Sequence, residues 1–197
     1  TKLSINGSDR DVVIGAGKLG RVIAYDAETG EVLWDTEVGE HQNDNIPGIA
    51  PGQTVTVFPG ILGGVETPMA LADGVVYVPI VNMASEHSPT GWDAADGPEA
   101  VANSNDHTDL TTGRGQLVAL DATTGEQLWS VDFDSQVFAA ATVVSALVFT
   151  ATFDGTIHAF TREEQFVPFF QRLRQRAVSD STWEIGIIDS VQAGFDQ

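Results

Sequence analysis

Two polar stretches carry the residue types that could do chemistry. Glu40-His41-Gln42-Asn43-Asp44-Asn45 sets carboxylate and carboxamide oxygens beside an imidazole. Asn82, His87, Trp92, Asp93, Asp96, Glu99, Asn103, Asn105, Asp106, His107 and Asp109 extend that chemistry over a second stretch. Calcium takes about six to eight oxygen ligands of this kind. No EF-hand-like spacing is present, however, and Asp, Asn and Gly are also what a solvated loop contains. His41, Asn43, Asp44, Asn45, His87, Trp92, Asp93, Asp106 and His107 are the candidate binding residues, and no metal is assigned to them. No Ser-His-Asp spacing or P-loop appears, so no catalytic residue is identified. His158 lies in a strand pattern and is expected to be a packed or edge residue.

A third motif points elsewhere. Gly15-Ala-Gly17-Lys-Leu-Gly20 follows an apolar stretch and matches G-x-G-x-x-G, the turn that sets a pyrophosphate on a helix N-terminus. That chemistry needs a helix over about 18–29. The segment instead alternates as a strand and runs into Asp-x-x-Thr-Gly. A tight hairpin is the expected structure, with a nucleotide-dependent oxidoreductase as the lesser alternative.

The elements that must position these residues come from internal repetition. Gly20-Arg-Val-Ile-Ala-Tyr-Asp-Ala-Glu-Thr-Gly-Glu-Val-Leu-Trp34 aligns without a gap on Gly115-Gln-Leu-Val-Ala-Leu-Asp-Ala-Thr-Thr-Gly-Glu-Gln-Leu-Trp129, nine of fifteen positions being identical. A decayed copy starts at Gly155 and keeps Ala159, then loses the Asp, Thr-Gly and Trp. Each copy reads as a strand, a turn closed by Asp and Gly, and a second strand ending in Trp. A further strand pair precedes each copy: Asp11-Val-Val-Ile14, Ala72-Asp-Gly-Val-Val-Tyr-Val78 and Ser145-Ala-Leu-Val-Phe-Thr-Ala151. Four-stranded units are expected at about 2–38, 66–133 and 137–164, with long loops at 39–65 and 82–114. Residues 165–197 are expected to form an atypical tail, irregular or helical, with Phe166 to Arg176 able to make an amphipathic helix.

These residues resemble the PQQ-repeat (pyrroloquinoline-quinone) β-propellers. The shared tryptophan-docking motif, Ala-x-Asp-x-x-x-Gly-x-x-x-Trp, stands here as Ala24, Asp26, Gly30, Trp34 and as Ala119, Asp121, Gly125, Trp129. The resemblance covers about residues 2–161. It implies an all-β fold, a partial propeller of about three four-stranded antiparallel blades, with each indole wedged between neighbouring blades. The group includes quinoprotein alcohol dehydrogenases and a non-enzymatic outer-membrane assembly lipoprotein. It names PQQ held through calcium as the cofactor such a chain could take, although the residues by themselves require none. Three units cannot close a ring, so a fragment, a truncated product or an assembly partner is expected.

Strands alternating up and down place the B–C and D–A connections of every blade at one end. Both long loops are of these two kinds, so they should share a face, where loops on a rigid scaffold commonly bind.

Composition narrows the function. A net charge of -19 argues against nucleic acid and anionic membranes as partners. No stretch is apolar enough for a membrane helix. The absence of cysteine excludes disulfides, thiolate zinc sites, a Cys nucleophile, a C-x-x-C-H haem and the vicinal Cys pair that the resembling enzymes often use. The reading that follows is a non-catalytic binding or scaffolding module, partnered by a protein or by the remaining blades. It is expected to be exported (periplasmic, secreted or cell-surface), with no signal peptide in this chain. The alternative is part of a PQQ-dependent dehydrogenase oxidising an alcohol or sugar.

Overall fold

The structure is a computed structural model. It describes residues 1–5, 7–89 and 112–162 in full, and the strands at 166–172, 174–178 and 182–186 by their backbone. The first four strands, β1 (Lys2–Ile5), β2 (Ser8–Gly17), β3 (Arg21–Asp26) and β4 (Val32–Glu37), form one antiparallel sheet in chain order. Two short strands of the connections follow in the numbering, β5 (Val55–Val57) and later β8 (Ser85–His87). The second sheet holds β6 (Ala70–Ala72), β7 (Val75–Asn82), β9 (Arg114–Asp121) and β10 (Gln127–Phe133). The third holds β11 (Thr142–Val144), β12 (Leu147–Ala151), β13 (Thr156–Thr161) and β14 (Phe166–Arg172). A small pair, β15 (Arg174–Val178) and β16 (Thr182–Gly186), ends the chain's described part.

The all-β blade architecture expected from the repeats is therefore present. Among the described residues there is no helix, and so none long and apolar enough to cross a membrane. The glycine-rich stretch is resolved as a hairpin: Gly15 and Gly17 lie in β2, Gly20 closes a turn onto the Gly17 carbonyl at 3.1 Å, and Arg21–Asp26 is extended. No helix N-terminus exists there to face a phosphate.

The tail differs from the irregular or helical form expected. Phe166–Arg172 is a strand paired with β13, in the register Phe160↔Phe166 and Thr156↔Arg172. An unpaired β13 edge would leave its backbone groups without partners. Phe and Val, frequent in this segment, favour extended backbone. Edge pairing therefore prevails over a short 3.6-residue periodicity.

Two cores lie between the three sheets. Val12, Val22, Ala24 and Trp34 meet Val76, Val78, Val118 and Leu120 between the first and second sheets. Tyr77, Leu117, Ala119 and Trp129 meet Val148 and Phe160 between the second and third. The second sheet is thus covered on both faces. That explains why β7, Val-Val-Tyr-Val-Pro-Ile-Val-Asn, is an almost unbroken apolar stretch rather than an alternating one.

The docking residues share one geometry in both copies. Asp26 Oδ1 accepts the backbone N–H groups of Glu28 and Thr29 at 3.0 and 2.9 Å. Asp121 Oδ1 accepts those of Thr123 and Thr124 at 2.8 and 2.9 Å. The Thr29 N–H in particular holds the Asp26 carboxyl below the usual carboxylate range, against the opposing effect of desolvation. Gly30 and Gly125 close these turns at φ of 74° and 75°, a conformation that L side chains rarely adopt. Trp34 then crosses to the second sheet, where its Nε1–H donates to the Ala122 carbonyl at 3.0 Å. Trp129 repeats the move on the third sheet, donating to the Arg162 carbonyl at 2.8 Å. It packs obliquely on Tyr77, with ring centroids 5.9 Å apart.

Replacing such an indole tests how much the sheets depend on it. Trp34→Ala should lower the unfolding free energy by about 3–5 kcal/mol in a denaturant titration. Trp34→Phe, which keeps a ring but leaves the Ala122 carbonyl without its donor, should lose roughly 1–2 kcal/mol.

Candidate functional site

The two long connections meet. The first leaves β4 through Val38, whose N–H donates to the Gly20 carbonyl at 2.8 Å. Next, the Glu40 N–H donates to Asn82 Oδ1 at 2.9 Å, tying the connection to the end of β7. Further on, β5 pairs antiparallel with β8, in the register Val55↔His87 and Val57↔Ser85. Gln42 and Phe58 exchange backbone hydrogen bonds at 2.9 and 2.8 Å. Ser85 Oγ accepts the Ile61 N–H, and Lys18 Nζ donates to the Ile61 carbonyl at 2.5 Å. Gly60 is required for this approach, because a Cβ there would lie 2.4 Å from the Ser85 backbone nitrogen. Two insertions separated in sequence thus form one braced platform at one end of the sheets.

His41 anchors that platform. Its Nδ1 lies 2.6 Å from Asp44 Oδ2, and its Nε2 lies 3.1 Å from the Gly20 carbonyl. Both partners can only accept, so the ring satisfies both when it is the doubly protonated cation. Burial opposes that charge. The hydrogen bonds to Asp44 and to Gly20 outweigh it and hold the His41 pKa above its ordinary value. Asp44 is correspondingly held below the usual carboxylate range by its bond to His41. Asn43, at φ 54°, donates Nδ2–H to the Thr56 carbonyl at 2.9 Å. Three of the expected candidates, His41, Asn43 and Asp44, therefore brace the loop, and Asn45 is exposed beside them. His87 sits on β8, opposite Val55. Trp92, Asp93, Asp106 and His107 lie outside the described residues.

Beside these anchors opens a polar groove of about 360 Å³, lined by Glu40, Asn82, Arg114, Gln116, Asp132 and Asp134 among others. Gln116 donates Nε2–H to Asp132 Oδ1 at 2.8 Å across β9 and β10. One guanidinium among three carboxylates gives the groove donors and a net negative field, suited to polar or cationic groups. Arg114, Gln116, Asp132 and Asp134 are not site-like in the sequence, because they end ordinary strands. Register would have found them: Gln116 pairs with Asp132 at the end of the sheet from which the insertion leaves.

Among the described residues, no group of three or more His, Asp or Glu converges as a metal centre. His158 is packed in β13 against Phe133, with ring centroids 4.4 Å apart, and burial lowers its pKa.

Comparison with known proteins agrees with this architecture. The family model described as "Outer membrane protein assembly factor BamB", a PQQ-repeat model, matches residues 2–100 and 84–165. No curated protein matches. Among solved structures, the quinohemoprotein alcohol dehydrogenase ADHIIG of Pseudomonas putida HK5 superposes with a TM-score of 0.66 at 20% identity, over 84% of this chain and 29% of that one. The quinohemoprotein alcohol dehydrogenase of Comamonas testosteroni gives 0.64 at 21% identity, over 84% and 29%. A europium-containing methanol dehydrogenase gives 0.63 at 19% identity, over 87% and 34%. At these identities the likeness is one of fold, and the chain spans about a third of the length of those structures.

The imidazolium anchor makes the platform pH-dependent. A raised folded-state pKa means that the stabilising contribution is complete below the unfolded histidine value of about 6.5. It is lost as pH rises through the higher folded value. Melting curves from pH 5.5 to 8.5 should show the native chain losing stability relative to His41→Gln over that window. Parallel curves would remove the charge from His41.

Proposed function

We propose, for a chain that belongs to the PQQ-repeat family, that it acts as a non-catalytic binding or scaffolding module, with the insertion face as its binding face. The observation that carries this reading is the pairing of β5 with β8. It turns two separate loops into a single platform bordered by the polar groove. Bracing of this kind lowers the ordering cost that a partner would otherwise meet on binding. The groove's carboxylates and the chain's net charge of -19 favour a basic or polar partner over nucleic acid. His41 and Asp44 shape the platform, and Asn45, His87, Trp92, Asp93, Asp106 and His107 supply further polar and aromatic groups from the same two insertions. Its partners are a protein or the remaining blades of a larger propeller. The family description names an outer-membrane assembly factor, which supports an exported location.

The competing reading is part of a PQQ-dependent dehydrogenase. It is separated by titrating the chain with PQQ and calcium while following absorbance, then adding an alcohol or a sugar with a redox dye. The binding-module reading expects no saturable red shift and no dye reduction. A saturating red shift accompanied by substrate-dependent dye reduction would overturn it.

A further inference from the structure

The connections at the insertion end differ between successive sheets. The one that follows β4 is long and folds into the platform. The one that follows β10, residues 134–141, is short. It is fixed from two sides. A Cβ on Gly115 would lie 2.5 Å from Val137 Cγ2 and 2.6 Å from the Ser135 carbonyl oxygen, so the connection presses on β9, and Val137 is fully buried. On its other side lies the turn between β12 and β13. The Phe153 N–H donates to the Gln136 carbonyl at 2.8 Å, and the Asp154 N–H donates to Ser135 Oγ at 3.2 Å. Within that turn, Asp154 Oδ1 accepts the Thr152 hydroxyl at 2.6 Å and the Thr156 N–H at 3.1 Å.

Two phenyl rings project from this braced backbone. Phe138 is 37% exposed and Phe153 67%, and the rings meet edge to face with centroids 6.0 Å apart and planes at 75°. Single apolar residues scattered over a surface are ordinary, whereas two rings in contact on a rigid frame make a patch. The repeat shows how the same place is used in the first sheet. Gly155 aligns with Gly20, so Phe153 corresponds to Lys18. Lys18 Nζ is bound to the Ile61 carbonyl and to Glu66 Oε1. The first sheet thus spends this position on holding its own insertion, and the third turns it to solvent.

The charges around the rings decide what would cover them. Asp134 begins the same connection and lines the polar groove with Glu40 and Asp132, and Arg114 among them leaves the groove net negative. Asp154 adjoins Phe153, and the Thr152 hydroxyl holds its carboxyl below the usual carboxylate range. A second copy of this chain, at a net charge of -19, would be repelled from such a surface. Four residue steps separate Asp134 from Phe138, a reach of at most about 14 Å.

We propose that the Phe138–Phe153 pair docks an apolar side chain of an extended segment in a partner protein, while a lysine or arginine within about four residues of it meets the groove carboxylates. This rests on the insertion-face reading above and names the chemistry of the partner that face takes.

The test follows the fluorescence anisotropy of a dye-labelled peptide, Lys-Lys-Ser-Ser-Phe-Leu, titrated with the full chain. Saturable binding is expected, weakened about tenfold or more by Phe153→Ser and by Phe138→Ser. Phe153→Ser changes the more exposed ring and keeps the test readable should Phe138→Ser loosen the connection. Asp134→Asn should weaken binding several-fold. Glu-Glu-Ser-Ser-Phe-Leu should not bind, and Lys-Lys-Ser-Ser-Ser-Ser should bind no better than the phenylalanine variants do. No saturable binding of the first peptide, or equal binding of the acidic one, would overturn the docking assignment. Binding unchanged in Phe153→Ser but weakened in Asp134→Asn would overturn it too, while leaving the insertion-face reading in place. A dimer in sedimentation, or flotation with phosphatidylcholine vesicles, that Phe153→Ser abolishes would give the rings to a second copy or to lipid and would equally overturn it.

Discussion

No sheet of this protein can bury an apolar face by itself, and the indole that bridges to the next sheet is the constraint from which the rest follows. Trp34 and Trp129 lie at matching places in their repeats, and each donates its single N–H to a main-chain carbonyl of the following sheet. The ring contributes apolar area and the N–H fixes its direction, a pairing suited to a residue that is apolar at one end and polar at the other. The acceptor is a carbonyl, so the receiving residue need not be of one type: Ala122 serves in one case and Arg162 in the other. A decayed repeat can therefore still receive its neighbour.

The same up-and-down strand order sorts the connections. The turns closed by Asp26 and Asp121 are tight and hydrogen-bonded within themselves, leaving little surface to vary. At the opposite end, the two insertions are joined through β5, β8 and the Ser85–Ile61 hydrogen bond, and are stitched to the sheets by Asn82 and His41. Rigid sheets, one repeated kind of turn and one elaborated end divide the molecule, and the elaborated end is the part with room to vary.

The duplicated fifteen residues made most of the fold legible, because a nine-position match without a gap forces one structure on both copies. By itself that match excludes a helix after Gly15, Gly17 and Gly20, because the second copy alternates as a strand without any glycine fingerprint. It also singles out Asp26, Gly30 and Trp34 as residues that both copies share. What stayed hidden was non-local. The pairing of β5 with β8 joins short segments about thirty residues apart with no shared pattern. The groove around Arg114 and Asp132 depends on register between strands, which a linear reading does not display. His41 was visible as an imidazole among oxygens, but its part as a cationic brace depends on the Gly20 carbonyl 21 positions away. The stretch from Phe166 failed as a helix because the deciding partner, the free edge of β13, lies outside the segment itself.

The docking geometry can be read directly by following the indole N–H signals of the isotopically labelled chain during exchange into heavy water. Trp34 should exchange slowly and show through-space contacts from its N–H proton to Ala122 and to the turn that ends at Gly125. A Trp34 signal that disappears at once, with contacts only inside residues 18–37, would contradict the bridging role on which the whole arrangement depends.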